Sequence, residues 1–117
     1  MGLDMYAYSR KDGANSDDNN EIYYWRKFNA LHGWMEALYR EKGGNEESFN
    51  CVEIELTGDD LIRLQRDALN DVLKPTNGFF FGAQTIYPED RATIFEFVSK
   101  GLAALSFGDK VFYSSWW

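Results

Sequence analysis

The chain has a single cysteine, a single histidine and two prolines in 117 residues. Cys51 has no second thiol for an internal disulfide, which points to a reducing, intracellular setting. A catalytic triad would have to use His32 as its base, and no G-x-S-x-G elbow surrounds Ser114 or Ser115. The glycine-flanked run Gly78-Phe79-Phe80-Phe81-Gly82 lacks the Lys and following Ser or Thr of a phosphate loop. No apolar stretch approaches the ~20 residues of a membrane span. Met1 to Met5 carry no basic segment leading into an apolar run, so no secretory signal is expected. Tyr6 stands where a myristoylation signal needs Ser or Thr. Positive charge is also scarce. With 12 Lys and Arg against 19 Asp and Glu, the net charge is −7. Such a surface repels free nucleic acid and suits either plain solubility or a basic protein partner.

Aromatic residues are plentiful, and they are grouped. Tyr23-Tyr24-Trp25, Phe79-Phe80-Phe81 and Trp116-Trp117 are consecutive runs. A domain of this size buries roughly 65% of its unfolded surface, enough for a core without cross-links. It does not need so many flat side chains for filling alone. Some are expected to line a cleft or an interface.

The chain reads as one α+β domain over residues 1–117. Leu3 to Tyr8 alternates, with Leu3, Met5 and Ala7 to one side and Asp4, Tyr6 and Tyr8 to the other, as in a half-buried strand. Residues 11–20 are polar and read as a loop. From about Trp25, Phe28, Leu31, His32, Met35, Leu38 and Tyr39 recur at helical spacing, ending near Gly43-Gly44. Residues 21–24 fit either the opening of this helix or a short strand. Cys51 to Leu56 alternates again, with Glu53 and Glu55 opposite Val52, Ile54 and Leu56. Thr57 then caps a second helix with Asp60 at N3, a stripe of Leu61, Leu64, Ala68 and Val72 flanked by Ile62, Leu69 and Leu73, and a stop at Pro75. Phe79 to Phe81 suit a short extended segment. Tyr87-Pro88-Glu89-Asp90 opens a third helix, with Ile94, Val98, Gly101, Leu102 and Leu105 inward. Val111 to Trp117 reads as the last strand. The expected fold is a mixed or antiparallel sheet of three to four strands with about three helices packed on one face. Leu3, Met5, Leu31, Met35, Val52, Ile54, Leu64, Leu69, Val98 and Leu102 should be buried. If the first and third strands are neighbours, the open face is acidic and aromatic together.

Several segments taken together resemble a family of small uncharacterised bacteriophage and prophage proteins. They are Met1 to Tyr6, Tyr24-Trp25-Arg26-Lys27 with Asn29, Leu31, His32 and Trp34, the run Gly78 to Gly82, and Tyr113-Ser114-Ser115-Trp116. The resemblance runs from end to end. It implies a phage origin and a host-cytoplasmic setting, and it supplies no catalytic residues.

Two candidate sites follow. The first is a partner-binding face of Asp4, Tyr6, Glu53, Glu55, Phe80 and Trp116, matched to a host protein with a basic surface. The most concrete version is an inhibitor of a bacterial antiviral system. The second is a pocket for a small ligand or an unrecognised enzyme. Trp25, Asn29 and His32 lie at steps of four and three, with Arg26 at the mouth to grip an anion. His32 could act there as general acid or base with Asp4 or Glu53. The competing reading of this group is a core histidine, a packed Trp25 and a surface-paired Arg26. A metal site built on His32, Asp4 and Glu53 lacks ligand spacing, and no cofactor is expected.

Overall fold

The computed structural model describes residues 3–13, 19–70 and 88–116. Its elements run in the order β1 (Asp4–Lys11), β2 (Asn20–Arg26), α1 (Asn29–Glu41), β3 (Ile54–Leu56), α2 (Gly58–Leu69), α3 (Pro88–Ser106) and β4 (Asp109–Trp116). The strands form one sheet of order β2-β1-β4-β3. All three pairings are antiparallel. The fold is therefore α+β, as the alternating strands imply.

Phase decides which face is core. Met5, Ala7, Val111, Tyr113, Ile54 and Leu56 are buried and meet one apolar cluster. That cluster also takes Leu31 and Met35 from α1, Leu61 and Leu64 from α2, and Ile94, Phe97 and Val98 from α3. The Thr57 hydroxyl accepts from the Asp60 amide while the Asp60 carboxylate accepts from the Thr57 amide, a reciprocal cap that starts α2. Gly101 lets α3 approach α2. A Cβ there would come within 2.8 Å of Leu61.

The condition that the first and third strands be neighbours is not met, because β4 lies between β1 and β3. Three expectations are corrected. The helix does not begin at Trp25. Residues 20–26 form β2, and Lys27 turns the chain with φ 58. The third strand starts at Ile54 rather than Cys51, which sits in the left-handed region with φ 61. Leu69 is 65% exposed, because it lies one helical step beyond the stripe that Leu61, Leu64 and Ala68 bury. Val52 and Leu102 are half-buried against the core, and the rest of the expected core set is buried. The readings of Val72, Leu73, Pro75, Tyr87 and the Gly78–Gly82 run fall outside the described residues.

Two details of the strands matter below. Opposite Ala7 and Tyr8, β2 carries an extra residue: Ala7 pairs with Tyr23, and Tyr8 with Glu21. Ile22 is the bulged residue, and both Ile22 and Tyr23 pack against the core. At the opposite edge, the Lys42 ammonium donates to the Glu55 carbonyl at 2.7 Å and pairs with the Asp60 carboxylate.

Leu64→Ala should cost about 2–5 kcal/mol in urea melts, as a buried stripe residue does. Glu55→Ala, on the outer face, should shift stability by less than about 0.5 kcal/mol. Equal losses would invert the assignment of faces.

Candidate functional site

The sheet face away from the core is built in rows set by strand register. Arg26, Asp4 and Trp116 form one row across β2, β1 and β4. Tyr24, Tyr6 and Ser114 form the next. Glu21, Tyr8, Phe112 and Glu55 form the third, reaching β3. Because side chains alternate, these residues share the face that Met5, Ala7 and Tyr113 leave. Trp116 is 63% exposed and Tyr24 44%. The Tyr6 and Tyr24 rings pack with centroids 5.4 Å apart. Aromatic groups and carboxylates are thus brought together as the strand phase implied. Tyr8, already outward by alternation, joins the set, and Tyr24 and Phe112 extend it through the strand order.

The charges on this face are unequal in availability. The Asp4 carboxylate accepts a hydrogen bond from the Tyr24 hydroxyl at 2.6 Å, with the Arg26 guanidinium 4.0 Å away. That bond raises the Tyr24 phenol pKa. Glu53 is held more firmly. Arg10 donates to it through Nη2 at 2.7 Å and Nη1 at 3.3 Å, and the Tyr8 hydroxyl donates as well. The Arg10 guanidinium lies 4.3 Å over the Phe112 ring, and Tyr8 stacks beside it. Phe112 is only 7% exposed despite its outward phase, because this clamp covers it. Partial burial would raise the Glu53 carboxyl, but the bonds from Arg10 and Tyr8 outweigh it and hold the group below its ordinary value. Burial, then the Glu53 bond, pushes the Tyr8 phenol well up. Glu21 and Glu55 carry no ion pair among the described residues. Phe80 lies outside the described residues.

The second candidate pocket is not assembled. Trp25 and Arg26 are on a strand, so they face opposite sides of the sheet. Trp25 is buried edge-on against Phe97, its indole donating to Thr93 Oγ1 at 3.0 Å. Arg26 points outward from the open face. His32 is 1% exposed within an aromatic group of Phe49 and Tyr113, its Nδ1 2.7 Å from the Tyr113 hydroxyl. Burial pushes its pKa down to about 4, so the ring is neutral at pH 7. Asp4 and Glu53 stand across the sheet from it, so no acid–base pair forms. The Asn29 amide, 1% exposed, opens α1 and has no hydrogen-bond partner among the described residues. Phe49 is a core residue that sequence reading missed, since it lies outside any periodic segment. Among the described residues no three His, Cys, Asp or Glu side chains converge as a metal would require. No helix among them is long and apolar enough to cross a membrane.

Two cavities touch the open side. One, of about 530 Å³, lies between the end of α1 and the β3 edge, lined by Tyr39, Lys42 and Gly44 facing Glu53, Ile54 and Glu55. The other, of about 310 Å³, lies on the open face itself, lined by Tyr6, Tyr8, Asn19, Glu21 and Ser114. Comparison of the chain with family models, with curated proteins and with solved structures finds no match.

Two tests follow from these geometries. The folded chain holds His32 near 4, against about 6.5 when unfolded. Between those values the unfolded chain binds more protons, so stability rises with pH across that window. It should be complete above about pH 6.5 and fall by up to about 3 kcal/mol as pH drops towards 4. Proton NMR of the single imidazole reads this directly, and a ring that titrates near 6.5 in the native protein would refute it. Arg10→Ala should cost about 1–2 kcal/mol in denaturant melts, because it uncovers Phe112 and unties Glu53. Arg26→Ala should stay within about 0.5 kcal/mol.

Proposed function

We propose that this protein is a non-enzymatic accessory protein of phage origin that binds a host protein through the open face of its sheet. The observation that carries the reading is the row structure of that face. Tyr6, Tyr24 and Trp116 are half-buried or exposed there on rigid strands. Rigid aromatic groups supply contact area for little lost rotamer freedom. The net charge of −7 and the carboxylates of Glu21 and Glu55 favour a basic partner surface, chiefly by steering encounter. A host-cytoplasmic setting and inhibition of a bacterial antiviral system are the most concrete form of this proposal, and they rest on the family resemblance. The pocket alternative gains no support, since Trp25, Arg26, Asn29 and His32 do not converge.

The test is capture from host lysate by the immobilised protein, with the Tyr6→Ala/Trp116→Ala double variant in parallel. Circular dichroism confirms that the variant is folded. The captured protein should be basic, and the double variant should bind it about thirtyfold more weakly, as loss of an aromatic anchor does. Added salt should slow association, because charges are screened within about 8 Å at physiological ionic strength. A partner held equally by both proteins would place the interface elsewhere.

A further inference from the structure

We propose that the groove beside Tyr6 and Tyr8 receives an arginine side chain of the partner, with its guanidinium against the tyrosine rings and its N–H groups donating to the Glu21 carboxylate. This rests on the docking reading above and names the chemistry that the face selects.

The groove holds about 310 Å³ and is lined by Tyr6, Tyr8, Asn19, Glu21 and Ser114. That is room for one long side chain, at the small end of ligand pockets. Its walls are two phenol rings, whose faces attract cations, and one carboxylate. An anion would be repelled by Glu21, and an apolar group would leave that carboxylate without a partner. Three polar groups in the groove are uncommitted among the described residues. Glu21 carries no ion pair, and neither the Tyr6 nor the Ser114 hydroxyl makes a side-chain hydrogen bond.

The same face already holds the arrangement once. Arg10 lies 4.3 Å over Phe112 and meets Glu53 through both terminal nitrogens, at 2.7 and 3.3 Å. Tyr8 flanks that clamp and also lines the groove, so the two sites adjoin. The groove repeats ring and carboxylate: Arg10 borders it, 5.8 Å from the Tyr8 ring centroid and bonded to Asn19, while Tyr6 and Glu21 are met by no cation among the described residues. The planar fork of arginine matches a flat ring and a carboxylate together, which the point charge of lysine does not. The bulge in β2 is what makes this possible. Without Ile22 as an extra residue, Glu21 would not stand opposite Tyr8.

The experiment is NMR titration of the intact protein with acetyl-Gly-Arg-Gly-amide, its citrulline analogue and its lysine analogue. The arginine peptide should give saturable shifts at Tyr6, Glu21 and Ser114. The citrulline peptide, equal in shape but uncharged, should bind at least about tenfold more weakly, and the lysine peptide should fall between. Glu21→Gln, an exposed change, should weaken the arginine peptide about tenfold. Equal binding of arginine and citrulline peptides, no saturation, indifference to Glu21→Gln, or shifts confined to Arg10 and Glu53 would each overturn the proposal. Trp116→Ala separates the two readings, because it should leave peptide binding unchanged while weakening partner capture. Failure of the peptide with capture still dependent on Trp116 removes the arginine site and keeps the docking face. Peptide binding with capture indifferent to Trp116 keeps the site and removes the docking face.

Discussion

The pairing of β1 with β4 is the constraint on which both faces depend. Its register sets Ala7 against Tyr113 and Tyr8 against Phe112. Phe112 and Tyr113 are adjacent aromatics sent to opposite environments. Tyr113 is fully buried and meets His32, while Phe112 lies on the outer face beneath Arg10. A slip of one residue would exchange every side chain between the faces. Asp4 and Tyr6 would then enter the core while Met5 met water. The core therefore enforces the register, and the register arranges the outer face without any further device.

The two faces handle polar groups by different physics. In the core, His32 and Tyr113 are kept neutral, because burial disfavours charge on either ring. Outside, the Arg10–Glu53 pair stays ionised, because the bonds from Arg10 and Tyr8 outweigh the partial burial of Glu53, whose side chain, 38% exposed, keeps contact with water. Taking such a pair fully out of water would cost several kcal/mol per ion. At the surface it also organises Tyr8 and covers Phe112. The clamp is thus a structural element that happens to lie on the face available to partners. With Asp4 bonded by Tyr24, this leaves Glu21 and Glu55 as the carboxylates of that face without an ion pair among the described residues.

Much of this was legible along the chain, and the failures have physical causes. Alternation in Leu3 to Tyr8, the Thr57 cap and the apolar stripes of the helices report local geometry, so they transfer directly to structure. The strand β2 was obscured because its bulge sends Ile22 and Tyr23 to the same side, which breaks the period of two. The spacing of Trp25, Asn29 and His32 mimicked a helical face across a strand-to-helix turn at Lys27. Strand order is non-local, so the contact of Arg10 and Tyr8 with Glu53 across β4 could not be read from any window of sequence. Phase alone gave the outward side of each strand, Asp4, Tyr6 and Tyr8 on β1 and Glu55 on β3, while their assembly into one face depends on β4 lying between them.

Lys42 leaves a last consequence. Its ammonium occupies the outward carbonyl of Glu55 on the short edge strand β3, and the same group meets the carboxylate that caps α2. An exposed strand edge is an invitation to other strands, and a lysine laid across it withdraws the acceptor a newcomer would need. With that acceptor engaged, the β3 margin is poorly suited to take on a further strand.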